Sequence, residues 1–415
     1  MEFNLQPIIQ IISPKEKNSR VPIEVKYVCE LPVFEPGYNF EESGNSTINA
    51  ASDWDAVLTF LRLYKVAPTL KTYSIEVEKF ILWLLTIKRM PLSGLKRDDW
   101  HEYIVYLENP PLKHSGKRCK RFNDDGTPNS DWRPFAESEA RPAVKTVTKS
   151  MKVIEALFRF LVDAGYLKAS PVVSSRRRNE TVAERAVEVA ERFVPQELLD
   201  LVIDNLALQI RRADFENQNR STIPTLHRSN FIIQLLRDTG LRASELISIR
   251  MSDIEISDKT EKWRLKVLGK GNKLRRIAIP DRLRETIIEN RLLSGLSPYP
   301  AYDDDSPLVS KLQDARKPIT TRRLGQLISD AFSLVANDMM ESANKLDSHS
   351  KERGLLERQA SLLKSVSPHW LRHSHATEYL KESNSLTGTR DRLGHSNLNV
   401  TAIYVHTDVD SEDFF

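Results

Sequence analysis

The sequence predicts a mainly α protein with a small antiparallel β-sheet, divided into two domains. Three observations point there. The chain has 415 residues, more than one ordinary domain holds. From Ser52 onward, apolar residues recur at helical spacing over long stretches. One segment, WRLKVLGKGNKLRRIAIP, alternates apolar and polar residues on both sides of a glycine-rich turn, the pattern of a β-hairpin.

Bulk composition narrows the class. Hydrophobic residues make up 40% and charged residues 28%, a soluble globular balance. The two cysteines, Cys29 and Cys119, exclude a disulfide framework and fit a reducing compartment. No apolar run approaches membrane-spanning length, and MEFNLQPIIQIISPKEKNSR has no basic leader ahead of an apolar core. The expectation is a cytoplasmic protein with no membrane partner. A net charge of +4 leaves the nature of any acidic partner to the distribution of charge.

The elements follow in order. Residues 1–48 mix prolines and glycines with scattered apolar residues and read as an N-terminal extension, with a short strand at VPIEVKYVCEL. Residues 49–170 form a helical domain. Leu70, Tyr73, Val77, Phe80, Ile81 and Leu84 share a helical face, and DDWHEYIVYLE and VKTVTKSMKVIEALFRFLVDAGYL give two more helices. Trp54 and Trp83 read as core residues. KHSGKRCKRFNDDGTPNSDWRPF, between those helices, is a basic, turn-rich loop. Residues 171–193 read as a basic interdomain linker carrying Arg176, Arg177 and Arg178, with a short helix over 181–193. Residues 194–415 form the second domain. It is helical around the hairpin and is interrupted at SPYPAYDDDSP and by a charged stretch from Glu341 to Arg358.

Four segments of this second domain concentrate polar residues. In LLRDTGLRASELISI, Gly240 ends one helix and Arg242 opens the next, with Glu245 one turn on the same face. The hairpin tip GKGNK carries Lys270 and Lys273 but has neither the P-loop nor the dinucleotide glycine spacing. In SPHWLRHSHATEYL, Pro368 suits a helix start, and His369 and Arg372 fall on one face. His369 and His373 also have an i, i+4 spacing. However, no H-E-x-x-H glutamate or nearby cysteine completes a metal site, and Arg372 would sit beside the cation. In LGHSNLNVTAIYVH, His395 precedes Tyr404. Each segment alone has a plain structural explanation: a surface ion pair, a solvated turn, a buried histidine, a core tyrosine. As a set they are cationic and include a nucleophile. They suit a phosphodiester, whose non-bridging oxygens two arginines can grip and whose transition-state charge they stabilise.

TGLRASEL, LGKGNKLRRIAIP, SPHWLRHSHAT and LGHSNLNVTAIYVH together resemble the tyrosine recombinase, or phage integrase, family, including its Xer-type members. The resemblance covers about Leu235 to His406, and more weakly the helical domain. It implies a two-domain, C-shaped DNA clamp: a helical core-binding domain plus a catalytic domain. It implies an enzyme that cleaves and rejoins DNA through a 3′-phosphotyrosyl intermediate, for integration, excision or resolution. Tyr404 would be the nucleophile. Arg242 and Arg372 would bind the phosphate, and His369 would be the base or proton relay. His395 would donate a hydrogen bond, and Lys270 would protonate the leaving oxygen, with Lys273 the fallback. Glu245 would orient Arg242. No metal or other cofactor is implied. The partners implied are double-stranded DNA and a homotetramer, with related recombinases as further candidates. Phosphate contacts are expected from Lys113, Lys117, Arg118, Lys120 and Arg121 in the loop and Arg176, Arg177 and Arg178 in the linker, a solvated charge run being the alternative. The acidic tail TDVDSEDFF is either a frayed end or an anchor on a neighbouring protomer. A type IB topoisomerase-like enzyme and a non-catalytic DNA-binding protein of the same fold are the competing readings.

Overall fold

The computed structural model describes residues 3–12, 23–42, 44–138, 141–172, 192–215, 223–257, 259–269, 273–395 and 398–405. The chain forms two compact units, Met1–Arg177 and Arg178–Phe415. Arg176, Arg177 and Arg178, residues 181–191 of the helix expected over 181–193, Lys270 and the tail TDVDSEDFF lie outside the described residues; residues 192 and 193 are described and are not helical.

The first unit is built on the helix Ala67–Trp83, which runs on into a π-helical turn at Leu84–Lys88. The α-helices Asp53–Arg62, Arg97–Glu108 and Val144–Asp163 also belong to this unit. Ser52 caps the first of these by accepting from the Asp55 N–H. Trp54 and Trp83 are buried. The central helix is buried well beyond its apolar face, because Glu76 and Glu78 are also enclosed. Each has partners, as a buried carboxylate requires. Glu76 meets Lys79, Lys149 and Ser150.

Glu78 accepts the backbone N–H groups of Ile8 and Ile9 at 2.7 and 2.9 Å and pairs with Arg121 at 2.6 Å. That stitch accounts for a difference from the sequence reading. The 1–48 stretch is not simply an appendage: Ile8, Ile9 and Val25 belong to the core of the unit. Its strands Ile9–Ile12 and Glu24–Tyr27 pair antiparallel, the second inside the segment expected to be extended.

The second unit carries a three-stranded antiparallel sheet, Ile254–Ile256, Trp263–Leu268 and Leu274–Ile279, in that spatial order. The first strand adds to the expected hairpin. Trp263, Leu265 and Val267 on one arm and Ile277 and Ile279 on the other are buried. They pack with the helices Gln196–Phe215, Ile223–Thr239, Asp281–Leu293 and Thr321–Ala343 into one core. The charged stretch Glu341–Arg358 interrupts helix only briefly. A new helix, Lys351–Lys364, starts at the Ser350 cap and buries Ala360 and Leu363, leaving its charges outside. A small hairpin, Ser310–Lys311 with Asp314–Pro318, follows SPYPAYDDDSP.

Candidate active site

Three chain breaks bring the polar segments together. The helix Ile223–Thr239 stops at Gly240, whose φ of +60° is left-handed. There is no room there for a side chain, since a Cβ would overlap the His375 imidazole. Arg242 then caps the short helix Ala243–Leu246. Its own N–H donates to Glu245 Oε2 at 2.9 Å, and its guanidinium donates to Oε1 at 2.9 Å. The expected i, i+3 pair is therefore also a helix cap. The second break is Ser367–Pro368, which opens the helix Pro368–Ser383 carrying His369, Arg372, His373 and His375. The third is Gly394, left-handed at φ +64°, which ends the helix Leu386–Leu393 immediately before His395.

Arg372 is buried at 2% exposure and crosses between the other two breaks. It donates to the Gly240 carbonyl and to the Leu393 carbonyl, each at 2.6 Å. A guanidinium has five N–H donors, so others remain for an anion. Burial and the neighbouring Arg242 charge push Arg372 down to about 10, which still leaves it cationic at neutral pH. Arg242 is half-buried, its side chain 32% exposed.

Glu245 holds more than Arg242. Arg275 pairs with both its oxygens, Nη1 to Oε1 at 3.0 Å and Nη2 to Oε2 at 2.8 Å, and donates from Nε to the Arg392 carbonyl at 2.9 Å. Burial works against the carboxylate. The hydrogen bonds and charges of Arg275 and Arg242 nevertheless hold Glu245 at about 2. The sequence reading missed Arg275. The signal was present, because Arg275 is in phase with the buried Ile277 and Ile279 on a period-two strand. A charged residue on an inward face calls for a partner.

Tyr404 lies in a single 3-10 turn, Ala402–Val405, and is 3% exposed. Its hydroxyl is 2.9 Å from His373 Nδ1. The His395 ring lies nearly parallel to the phenol, 13° and 6.3 Å between centroids. Burial drives the phenol up to about 12 against the pull of Arg372 and Arg242. His395 is lowered to about 4 by burial and by Arg372 and Arg242, and its Nδ1 is 3.0 Å from Thr401 Oγ1. His369 is more open. It stacks on His373 at 4.9 Å and is shifted down by burial and by Arg372 and Arg242. His375 is a structural member: its Nδ1 meets the Arg237 carbonyl at 2.7 Å and its Nε2 accepts from Arg392 at 3.0 Å.

Five of the six motif residues therefore share the second unit's polar centre, and Lys270 lies outside the described residues. Lys273 is exposed at the far shoulder of the hairpin turn. Among the described residues no group of three or more His, Cys, Asp or Glu side chains is placed to hold a metal ion. Of the loop cations, Lys113, Lys117, Arg118 and Lys120 are exposed, the last paired with Asp124 at 2.6 Å. Arg121 corrects the expectation of a phosphate contact. Its guanidinium is drawn inward by fully buried Glu78 and the Ile9 carbonyl, and it braces the N-terminal strand.

Residues 214–410 match the model of the phage integrase family. The chain is 30% identical over 341 residues to the tyrosine recombinase XerC of Salmonella typhi, covering 81% of this chain and 92% of the relative. It is 31% identical over 331 residues to the tyrosine recombinase XerC of Staphylococcus carnosus, covering 80% and 92%. Among solved structures it is similar to the XerH site-specific recombinase bound to difH substrate in a pre-cleavage complex. That match has a TM-score of 0.51 and 14% identity, and covers 86% of this chain and 80% of the other. A post-cleavage XerH complex on palindromic difH gives 0.53 at 16% identity, covering 86% and 82%. At those identities the structural likeness speaks for the fold.

Proposed function

The chain belongs to the phage integrase family of tyrosine recombinases, enzymes that break and rejoin DNA in site-specific recombination, and from that premise we propose that Tyr404 is its nucleophile. The phenolic oxygen attacks a backbone phosphorus, forms a 3′-phosphotyrosyl link and releases a 5′-hydroxyl. The new ester keeps the phosphodiester energy, so an incoming 5′-hydroxyl reverses the step without ATP. At about 12 the resting phenol is protonated, so its proton leaves only as the bond to phosphorus forms.

Arg242 and Arg372 hold the non-bridging oxygens and offset the charge of the pentavalent transition state. Glu245 orients Arg242. His395 is neutral at physiological pH, given its downward shift. In the tautomer whose Nδ1 accepts from the Thr401 hydroxyl, 3.0 Å away, the ring hydrogen sits on Nε2 and is available to a phosphate oxygen. His369 fills the proton-relay position. Lys270 protonates the leaving 5′-oxygen, with Lys273 as its fallback. Lys113, Lys117, Arg118 and Lys120, with Arg176, Arg177 and Arg178, contribute phosphate contacts. The working assembly is a homotetramer on double-stranded DNA, with related recombinases as candidate co-partners. No described helix is long and apolar enough to cross a membrane, and we place the enzyme in the cytoplasm. The two compact units serve as a helical DNA-binding domain and a catalytic domain.

One observation carries this reading. Tyr404, the arginines that act on it electrostatically and the histidines that pack on it all come from one unit of one chain. The test is incubation with supercoiled plasmids bearing the DNA that flanks the chain's own coding region. Wild type gives a covalent protein–DNA adduct and joins two sites, and Tyr404→Phe gives neither. Relaxation without joining would favour the topoisomerase-like alternative, and binding without any adduct would favour the non-catalytic one.

A further inference from the structure

Among the described residues, a contact at the reacting atom is made by a side chain outside the six motif positions. The Tyr404 hydroxyl sits 2.9 Å from Nδ1 of His373, a residue outside that set. The two rings stand 5.8 Å apart at 47°, a hydrogen-bonded rather than a stacked geometry. His373 directly follows Arg372 on the helix Pro368–Ser383. One rigid element therefore presents both a phosphate-binding guanidinium and the imidazole that touches the phenol. His369, one turn earlier, reaches His373 by ring stacking at 4.9 Å and 20°. Among the described residues His395 also lies near the phenol, and its Nδ1 is engaged with Thr401.

We propose that His373 is a catalytic residue, the acceptor of the Tyr404 proton, with His369 stacked behind it. The inference rests on Tyr404 being the nucleophile. In cleavage the bond from Tyr404 Oη to phosphorus forms while the bond from phosphorus to the 5′-oxygen breaks. The phenolic proton passes to His373 Nδ1, and the leaving oxygen takes its proton from the hairpin lysine. In ligation the incoming 5′-hydroxyl returns a proton to that lysine, and His373 gives its proton back to Tyr404. No oxidant, metal or nucleotide enters the balance.

The need for an acceptor follows from the burial of the phenol. Roughly one molecule in 10⁵ holds a phenolate at pH 7 when the group titrates near 12. A positioned base recovers about 10²–10⁴ in rate by taking the proton within the transition state. Among the described residues, the charged and titratable groups at this site include Arg372 and His369 on the same helix, His395 after the next helix, Arg242 from the segment that follows Gly240, and Tyr404 itself. His373 Nδ1 has to be unprotonated when the phosphate arrives, the form that accepts the hydrogen bond from the Tyr404 hydroxyl.

The test is single-turnover cleavage of a nicked duplex carrying the flanking site, using the full chain. Wild type, Tyr404→Phe, His369→Ala, His373→Ala and His373→Asn are compared across pH, with gel-shift affinity and melting temperature measured alongside. Asparagine can accept the phenol's hydrogen bond but cannot take its proton at neutral pH, so it separates chemistry from packing. His373→Asn should cleave about 10²-fold more slowly or worse, with DNA affinity unchanged. It should also lose the rise in rate with pH that a titrating imidazole gives between about pH 5 and 8. Added imidazole should partly restore His373→Ala. Cleavage by His373→Asn within a few-fold of wild type, with that limb intact, would overturn the proposal. So would faster cleavage by His373→Ala, which would make the contact a restraint. If wild type forms no Tyr404-dependent adduct, the nucleophile assignment fails and this inference with it. A wild-type adduct undiminished in His373→Asn defeats this inference alone.

Discussion

Arg242, Arg275 and Arg372 set three guanidinium charges around the single carboxylate of Glu245, at 2.9, 2.8 and 3.8 Å. The surplus of positive charge is what a phosphate can neutralise. Arg275, whose side chain is only 10% exposed, holds the cluster in shape. It ties Glu245 to the Arg392 carbonyl, two residues before Gly394. Removing one partner of such a buried pair costs about 3–5 kcal/mol when nothing replaces it, and less here because Arg242 stays on Glu245. We expect Arg275→Gln to lower cleavage at least about tenfold, with Arg275→Lys intermediate because it keeps the charge but loses the paired geometry. Titration should show the same change. Glu245 stabilises the fold above its unfolded value near 4.5 and loses that contribution as pH falls toward 2. In Arg275→Gln the folded value rises, so the loss begins at higher pH. Acid-unfolding curves and single-turnover cleavage of the two variants check both statements.

At the scale of elements, helix ends do the positioning. Gly240 lets one helix stop and turn within a residue, offers its carbonyl to Arg372 and leaves space for His375. Gly240→Ala meets both a left-handed backbone and the His375 ring, a combination that costs about 1–3 kcal/mol from backbone strain alone. The expected result is a lower melting temperature together with slower cleavage, since the displaced ring also holds Arg392. A variant with wild-type melting and cleavage would show that the turn does not depend on this glycine. Much of this scale was legible in the sequence. The Gly240 stop, the Arg242–Glu245 face, the hairpin and the Pro368 start are local patterns of spacing and backbone preference. What stayed hidden was long-range. Nothing local to Arg121 announces Glu78, 43 positions away. Ile8 and Ile9 read as loose chain because the buried carboxylate that accepts their N–H groups lies in a helix some seventy residues on.

Over the whole molecule, burial of neutral histidines makes stability depend on pH. His375 is pushed down to about 3, first by burial and then by Arg392. His395 and His114 are each lowered to about 4, with burial again the main cause. A depressed histidine stabilises the fold fully above its unfolded value near 6.5, and that contribution is lost as pH falls through the folded value. At pH 5, His375 alone accounts for about 2 kcal/mol of lost stability, a few degrees of melting temperature for a unit of this size. Melting scans between pH 7.5 and 4.5 should show that fall, flattened in His375→Gln relative to its own value at neutral pH. A melting temperature constant over the range would contradict the buried, neutral assignment. His114 places part of the effect in the first unit, where its Nδ1 meets the Tyr106 hydroxyl at 2.7 Å.

The central claim is that Tyr404 becomes the point of attachment to DNA. Its most direct test traps the full-length protein on a nicked duplex containing the flanking site. The complex is then digested with protease and nuclease, and the residue carrying the nucleotide remnant is located by mass spectrometry. We expect a 3′-phosphoryl nucleotide on the peptide that contains Tyr404, with the label absent from Tyr404→Phe. A remnant on any other side chain, or a label that survives in Tyr404→Phe, would contradict the account.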